Sequence, residues 1–319
     1  MRISCGICGG EDVQKLFDIG HQPPFQVYNC PGCGIAFTVP ALPVSGISRY
    51  YPPAYYGSEG RKFNKVIEFL VYLSRLRRVQ RILRYVRRGR ILDVGCGGRP
   101  HFLSRMNRLG WEAHGNDITE FPRLKQLESE GIRFQVCDFS ESRYPEGHFD
   151  VIVFWHVLEH LPGPVEAISK ARRLLKPGGL LVLALPNRES LQAKYAGPHW
   201  FHLDIPRHYF HFTLGGVKKL LGAGGFTPLY ISHFSFEQDI FSCIQTLYNL
   251  AGFEHDLLYN MLRTRDAKIG DRTKGGAAQK LAVLGLLPFA AAAAMLLFFL
   301  EVVLRRGGSV EIYARKEAV

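Results

Sequence analysis

The chain has 319 residues, 47% hydrophobic and 12% aromatic, which is enough to bury a full core around one principal domain and excludes a disordered chain. Its formal net charge of +12 implies an acidic partner surface, either anionic lipid or nucleic acid. The seven cysteines fall as two C-x-x-C pairs and three scattered singles, which argues against an oxidised scaffold. Residues 1–10 show no apolar run behind a basic start, so the expectation is no signal peptide and a reducing cytoplasm.

Cys5 and Cys8 form the first pair and Cys30 and Cys33 the second, with 21 residues between them. Each pair lies in a glycine-containing turn that aims two sulfurs at one point, and four thiolates suit tetrahedral zinc better than a redox dithiol. About 40 residues cannot build a core alone, so metal would supply much of the folding free energy of a module over residues 1–45. No vacant ligand position is read, so the module is assigned structure and no catalysis.

Residues 46–89 follow. Tyr50 to Gly60 mixes aromatics with Pro and Gly and reads as a docked loop. From Lys62 to Arg88, apolar residues such as Val66, Leu70, Leu73, Val79, Ile82 and Val86 recur at helical spacing. That leaves Arg75, Arg77, Arg78, Arg81, Arg84, Arg87 and Arg88 mostly on the outer face, as a solvated surface or as a patch for phosphate groups.

The apolar run Ile91-Leu92-Asp93-Val94 then breaks into Gly95-Cys96-Gly97-Gly98 and a helical pattern. A strand feeding such a turn lets the backbone approach a nucleotide-like ligand beside free helix N–H groups. Further apolar runs, Trp111–Asn116, Ile132–Cys137, His148–Trp155 and Gly179–Leu185, alternate with helical patterns and predict a parallel, doubly wound α/β sheet. Ligands bind such sheets at the carboxyl ends of the strands. There Asp117 is placed to accept from a ribose diol, and Asp138 with Phe139 to hold the edge and face of an adenine. Asp150 reads as a turn or cap residue.

Residues 90–233 resemble class I S-adenosylmethionine-dependent methyltransferases, in the subgroup similar to ubiquinone-biosynthesis methyltransferases. The resemblance rests on Leu92-Asp93-Val94-Gly95-Cys96-Gly97, Asp117, Cys137-Asp138-Phe139, Val157-Leu158-Glu159-His160 and Leu174-Leu175-Lys176-Pro177-Gly178-Gly179. It implies S-adenosylmethionine as cofactor, with Asp93, Gly95, Cys96 and Gly97 at its methionine part. It also implies Asp117 at the ribose, Asp138 and Phe139 at the adenine, and Trp155 and His156 lining the pocket. The family pattern G-x-G-x-G is altered here, where Gly97 is followed by Gly98-Arg99-Pro100. The implied fold is a Rossmann-like seven-stranded sheet whose last strand is antiparallel.

Methyl transfer from a sulfonium needs alignment and a proton acceptor. Histidines supply the candidates: His156 and His160 after the fourth strand, and His199, His202, His208 and His211 after the fifth. His208 is the first choice for the catalytic base and His160 the second. The aromatic stretch Pro198–Phe212 resembles one that occurs in methyltransferases acting on small molecules and glycans.

Gly225–His233 and Gly308–Lys316 read as the last two strands, separated by roughly 75 residues, far more than a hairpin loop. The insertion, residues 234–307, contains Leu281–Leu300, a run of 20 uncharged and mostly apolar residues that is long enough to span a bilayer. A single crossing would strand the final strand, residues 308–319, on the far side. Residues 281–304 are therefore expected to lie in one leaflet or re-enter from it, with Pro288 as the bend and basic residues on both flanks; burial in a protein interface is the alternative. Basic flanks around an apolar anchor favour an anionic membrane surface over nucleic acid. The expectation is a zinc-bearing methyltransferase, peripheral or monotopic on the cytoplasmic membrane face, with a small-molecule or lipid-linked acceptor such as a saccharide intermediate. The alternatives are a non-catalytic scaffold with a degenerate fold and a nucleic-acid methyltransferase.

Overall fold

The computed structural model describes residues 3–20, 24–43, 76–97, 101–120, 124–262 and 275–318. The proposed linker at 50–60, the start of the basic helix at 62–75, the irregular turn residues 98–100 and the basic flank 263–274 lie outside them.

Seven strands form the main sheet: β4 (Arg90–Val94), β5 (Glu112–Asp117), β6 (Arg133–Val136), β7 (Phe149–Trp155), β8 (Leu175–Pro186), β10 (Phe226–Ser232) and β11 (Ser309–Lys316). Their order is β10-β11-β8-β7-β4-β5-β6. β4 through β8 pair in parallel, whereas β11 runs antiparallel to both β8 and β10. Leaving β4, the chain builds one side of the sheet through β5 and β6 and then crosses to β7 and β8. The order therefore reverses between β4 and β7, where a crevice opens at the carboxyl ends.

Apolar runs form the central strands because both faces of a parallel sheet are covered. Leu92, Val94, Ile152, Phe154, Leu181 and Leu183 enter one core layer, and the alternate residues Ile91, Val151, Val153, Leu180 and Val182 enter the other. The first layer is closed by α4 (Pro164–Leu174) and α6 (Leu214–Ala223), the second by α1 (residues 76–85), α2 (His101–Arg108) and α3 (Leu124–Ser129). β8 starts earlier than its apolar run suggested, since α4 passes straight into Leu175 and the Pro177-Gly178-Gly179 kink lies inside the strand.

A smaller sheet has the order β1-β2-β3-β9, with β1 (Gln14–Ile19), β2 (Phe25–Asn29) and β3 (Ala36–Val39) from the cysteine-rich segment. Its fourth strand, β9 (Phe210–His211), comes from the histidine-rich segment and pairs Ala36 with His211 and Phe37 with Phe210. α5 (Leu191–Ala196) lies between β8 and that segment.

Between β10 and β11 the chain forms α7 (Phe236–Leu250), α8 (Leu257–Leu262) and α9 (Ala277–Val303). α9 is continuous through Pro288, so the segment does not double back. It packs one narrow face, including Val283, Ala294 and Phe298, on the body and leaves Leu281, Phe289, Leu296 and Val303 at least 70% exposed. The Tyr248 hydroxyl donates to Val283 O at 2.7 Å, and the buried Glu301 carboxyl accepts from the Gln192 backbone and side chain at 2.9 and 3.0 Å. These bonds fasten α9 along its length.

One residue of the basic helix is not where amphipathic spacing put it. Arg78, expected outside, is buried, with its guanidinium 3.8 Å from the Phe102 ring centre, 4.4 Å from that of Trp155 and 4.0 Å from the Asp93 carboxylate. Two aromatic faces and a carboxylate offset its desolvation. Arg78→Leu takes the cation away from buried Asp93 and is expected to destabilise the fold by about 3 kcal/mol in urea unfolding; a loss below about 1 kcal/mol would contradict this role.

Candidate active site

At the end of β4 the chain turns on Gly95 (φ 65°) and Gly97 (φ 69°), both in the left-handed region that favours glycine. The Gly95 and Cys96 N–H groups donate to Asn116 O at 2.8 and 3.2 Å. A side chain at Gly95 would come within 2.5 Å of Val157 in the turn after β7, whereas one at Gly97 would meet nothing within 4 Å among the described residues. Among these residues nothing therefore covers the Gly97 backbone at the point where the strand order reverses.

Asp117 fixes this turn from the end of β5. Its Oδ2 accepts the Gly97 N–H at 2.9 Å and its Oδ1 the Thr119 N–H at 3.1 Å. Burial raises its pKa and these N–H bonds oppose the rise. Each oxygen keeps a second lone pair, so the carboxylate can still accept from a diol lying over Gly97.

The other expected cofactor residues are placed unevenly. Asp93 lies in the sheet beside Arg78. The Cys96 sulfur turns onto Gly115 in the core, which leaves only the Cys96 backbone for the turn. Asp138 ends the β6 segment and caps its own loop by accepting the Ser140 N–H at 2.7 Å. Phe139 is buried against Phe154, and Lys170 lies 5.1 Å from its ring centre. Trp155 and His156 end β7; His156 has φ 54° and stacks on His202 at 6.2 Å. Asp150 acts as a tether, its Oδ2 accepting the Arg90 N–H at 2.7 Å and its carboxylate meeting the Lys176 ammonium at 2.7 Å.

Beyond Trp155 a single helical turn, Leu158–His160, packs against the histidine-rich segment, whose Tyr209 N–H donates to Glu159 O at 2.9 Å. The His160 and His208 rings lie 4.5 Å apart. Backbone carbonyls fix both tautomers: His160 Nδ1–H donates to Arg207 O at 3.0 Å and His208 Nδ1–H to His202 O at 2.8 Å. His208 Nε2 lies 3.6 Å from Asp204 Oδ2, and beside the two rings the Glu159 carboxylate is buried with no hydrogen-bond partner among the described residues. Ligand atoms of Glu159, His160 and His208 all lie within 4.8 Å of one another, close enough to hold a metal ion or share a proton. Burial drives the pKa values of His160 and His208 down, so both are neutral bases at pH 7. Burial would raise Asp204, but Arg207, His208 and His160 around it bring it below the usual carboxylate range. Glu159 and Asp204 were not singled out in the sequence, although the Glu159-His160 pair and the Asp204…His208 spacing were visible there.

The four cysteine sulfurs of the small sheet also lie within 4.8 Å of one another, with Cys5–Cys33 at 3.6 Å and Cys8–Cys30 at 3.5 Å. Disulfides would require about 2.05 Å, and a zinc tetrahedron with bonds of about 2.3 Å has edges of about 3.8 Å. The set fits a metal ion.

A family model described as a methyltransferase domain matches residues 68–231, just over half of the chain. The chain belongs to this methyltransferase family, and its fold is that of the class I S-adenosylmethionine-dependent members. A relative, the ubiquinone biosynthesis O-methyltransferase of Pseudomonas paraeruginosa, is 40% identical over 143 residues, 42% of this chain and 60% of the relative. The protein of the same name from Nitrosococcus oceani is 40% identical over 106 residues, 31% of this chain and 44% of the relative. The chain thus spans only about half the length of these curated relatives. A proposed sarcosine dimethylglycine methyltransferase from Galdieria sulphuraria shares the fold with a TM-score of 0.51 at 13% identity, over 84% of this chain and 97% of that one.

The buried histidines carry a pH dependence. Burial pushes His202 and His211 down to about 3, against about 6.5 in an unfolded chain. Below pH 6.5 the unfolded chain binds these protons and the folded chain does not, so keeping both rings neutral costs stability as pH falls. His202→Phe is expected to reduce the loss of stability between pH 7.5 and 5.5 by about 1.4 kcal/mol in urea unfolding; an unchanged loss would contradict the buried neutral state.

Proposed function

We propose that this chain transfers the sulfonium methyl group of S-adenosylmethionine to a small-molecule or lipid-linked acceptor, such as a saccharide intermediate, at the cytoplasmic face of a membrane. The observation that carries the reading is the Gly97–Asp117 bond at the reversal of strand order, where nothing among the described residues covers the Gly97 backbone. In this reading Gly95, Cys96 and Gly97 offer backbone to the methionine part, Asp117 holds the ribose, and Asp138 reaches the adenine from the end of β6. Phe139 acts by shaping the wall from within the core, and Trp155 and His156 line the opposite bank.

The cofactor supplies an electrophilic methyl group, so the protein aligns the acceptor and removes its proton. Alignment contributes about 7–11 kcal/mol and a general base about 10²–10⁴ in rate. His208 and His160 hold neutral Nε2 atoms for that proton, and Asp204 and Glu159 stabilise the imidazolium formed. The four cysteines hold structural zinc, which stiffens β3 and through it β9, next to His208. Residues 90–233 with 308–319 form the catalytic core, 1–45 the zinc module, 46–89 the connection and 234–307 the membrane-associating insertion.

Titration calorimetry tests the cofactor assignment: the wild type should bind S-adenosylmethionine one to one, and no heat at millimolar cofactor would favour the scaffold reading. Gly95→Ala, strained by its φ and by Val157, should weaken binding at least about tenfold. His208→Gln should bind within about threefold of wild type yet transfer labelled methyl into membrane extract about 10²–10⁴ more slowly; equal losses in both would make His208 structural. Elemental analysis should find one zinc per chain. Its removal by chelator should lower the unfolding midpoint and speed amide exchange at Tyr209 and His211, and a metal-free wild type of unchanged stability would exclude the zinc role.

A further inference from the structure

Beside the C-terminal end of α9 is a cavity of about 140 Å³ whose lining includes Asn187, Glu189, Lys194, His233, Arg305 and Arg306. Asn187 follows β8, His233 follows β10, and the two arginines precede β11. The cavity therefore opens at the same carboxyl edge as the glycine turn. Lys194, Arg305 and Arg306 face a single lining carboxylate, Glu189, and none of the ion pairs among the described residues takes them up.

The cavity is built rather than incidental. Arg305 has φ 53°, and the turn is clamped by the Arg305 N–H to Val302 O at 3.1 Å, the Arg306 N–H to Glu301 O at 2.7 Å, and Asn187 Nδ2–H to Gly307 O at 3.0 Å. A side chain at Gly307 would come within 2.3 Å of His233 O, so the turn closes tightly on the end of β10. His233 is 9% exposed, and its Nδ1 is buried with no hydrogen-bond partner among the described residues. Two guanidiniums, an ammonium and an imidazole around one small space present the donors that a phosphate takes up.

Immediately before this turn, Phe299, Leu300, Val303 and Leu304 are 47–78% exposed, continuing the apolar face of α9. Apolar side chains beside a cationic cavity match the depth profile of a bilayer surface, where acyl chains give way to phosphates. We infer that this cavity binds the phosphate of an anionic membrane lipid headgroup, one whose charge no choline offsets, while the exposed face of α9 sits among the acyl chains. The inference rests on the membrane-face reading above and adds a specific headgroup site to it. It also orients the protein, with the carboxyl edge of the sheet and its glycine turn directed toward the bilayer.

Vesicle flotation of the full chain provides the test, using phosphatidylcholine vesicles with and without phosphatidic acid. The wild type should bind vesicles containing phosphatidic acid at least tenfold more tightly than phosphatidylcholine alone. The double variant R305Q/R306Q should lose about twentyfold of that binding while still binding S-adenosylmethionine as the wild type does. R108Q/R315Q, which removes the same charge from the opposite edge of the sheet, should lose less than about threefold. Equal losses in the two double variants, or equal binding to both vesicle types, would overturn the headgroup site and leave membrane binding standing. No flotation with any vesicle would overturn both readings. Displacement by sub-millimolar inorganic phosphate would assign the cavity to a soluble phosphoester and overturn the lipid assignment.

Discussion

The arrangement of the carboxyl edge depends on the insertion of β11 between β8 and β10. Ser309 pairs with Pro186 and Ser232 with Glu311, so the last strand enters the sheet at the edge where the glycine turn lies. Because β11 must start there, the C-terminal end of α9 is drawn to the same edge and Glu301 is pulled under it, onto Gln192. An apolar helix with free ends could span a bilayer, but one that feeds an interior strand of the sheet is held along the body. The exposed apolar face and the arginine turn follow from that constraint.

A second junction couples the cysteine-rich sheet to the histidine cluster. The Thr38 hydroxyl donates to His208 O at 2.8 Å and lies 3.0 Å from His211 Nε2, and the Thr38 N–H donates to Tyr209 O at 2.9 Å. Arg188 reaches Asn29 from the end of β8 at 2.7 Å, and Lys219 donates to Gly32 O at 2.9 Å. The backbone carbonyls that orient the His160 and His208 tautomers thus belong to a segment paired on one side with β3 and bonded on the other to the turn after β7. Order in the cysteine-rich sheet and imidazole orientation near the groove are parts of one mechanical unit.

The doubly wound core was legible in the sequence because its signals are local: apolar runs, a glycine turn, acidic residues at strand ends and Pro177-Gly178-Gly179. The seven-stranded order with an antiparallel last strand followed from the family resemblance. What was not legible depends on partners distant in the chain. Arg78 looked solvent-facing because helical spacing cannot show that Phe102 and Trp155, from two other elements, close around it. β9 is two residues long, too short for any alternation to register, and its pairing with Ala36 and Phe37 joins segments about 170 residues apart. The Cys96 thiol and the Phe139 ring carried motif positions, yet the first packs against the core and the second is buried in it, because a motif fixes the backbone path before it fixes side-chain direction.

Crystals of the protein grown with S-adenosylhomocysteine would show where the cofactor lies. Ligand density is expected across the carboxyl ends of β4 and β5, with the ribose hydroxyls in hydrogen-bond reach of Asp117 and the methionine part over the Gly97 backbone. Density elsewhere, or an empty groove with the Gly97–Asp117 bond unchanged at saturating ligand, would contradict this placement.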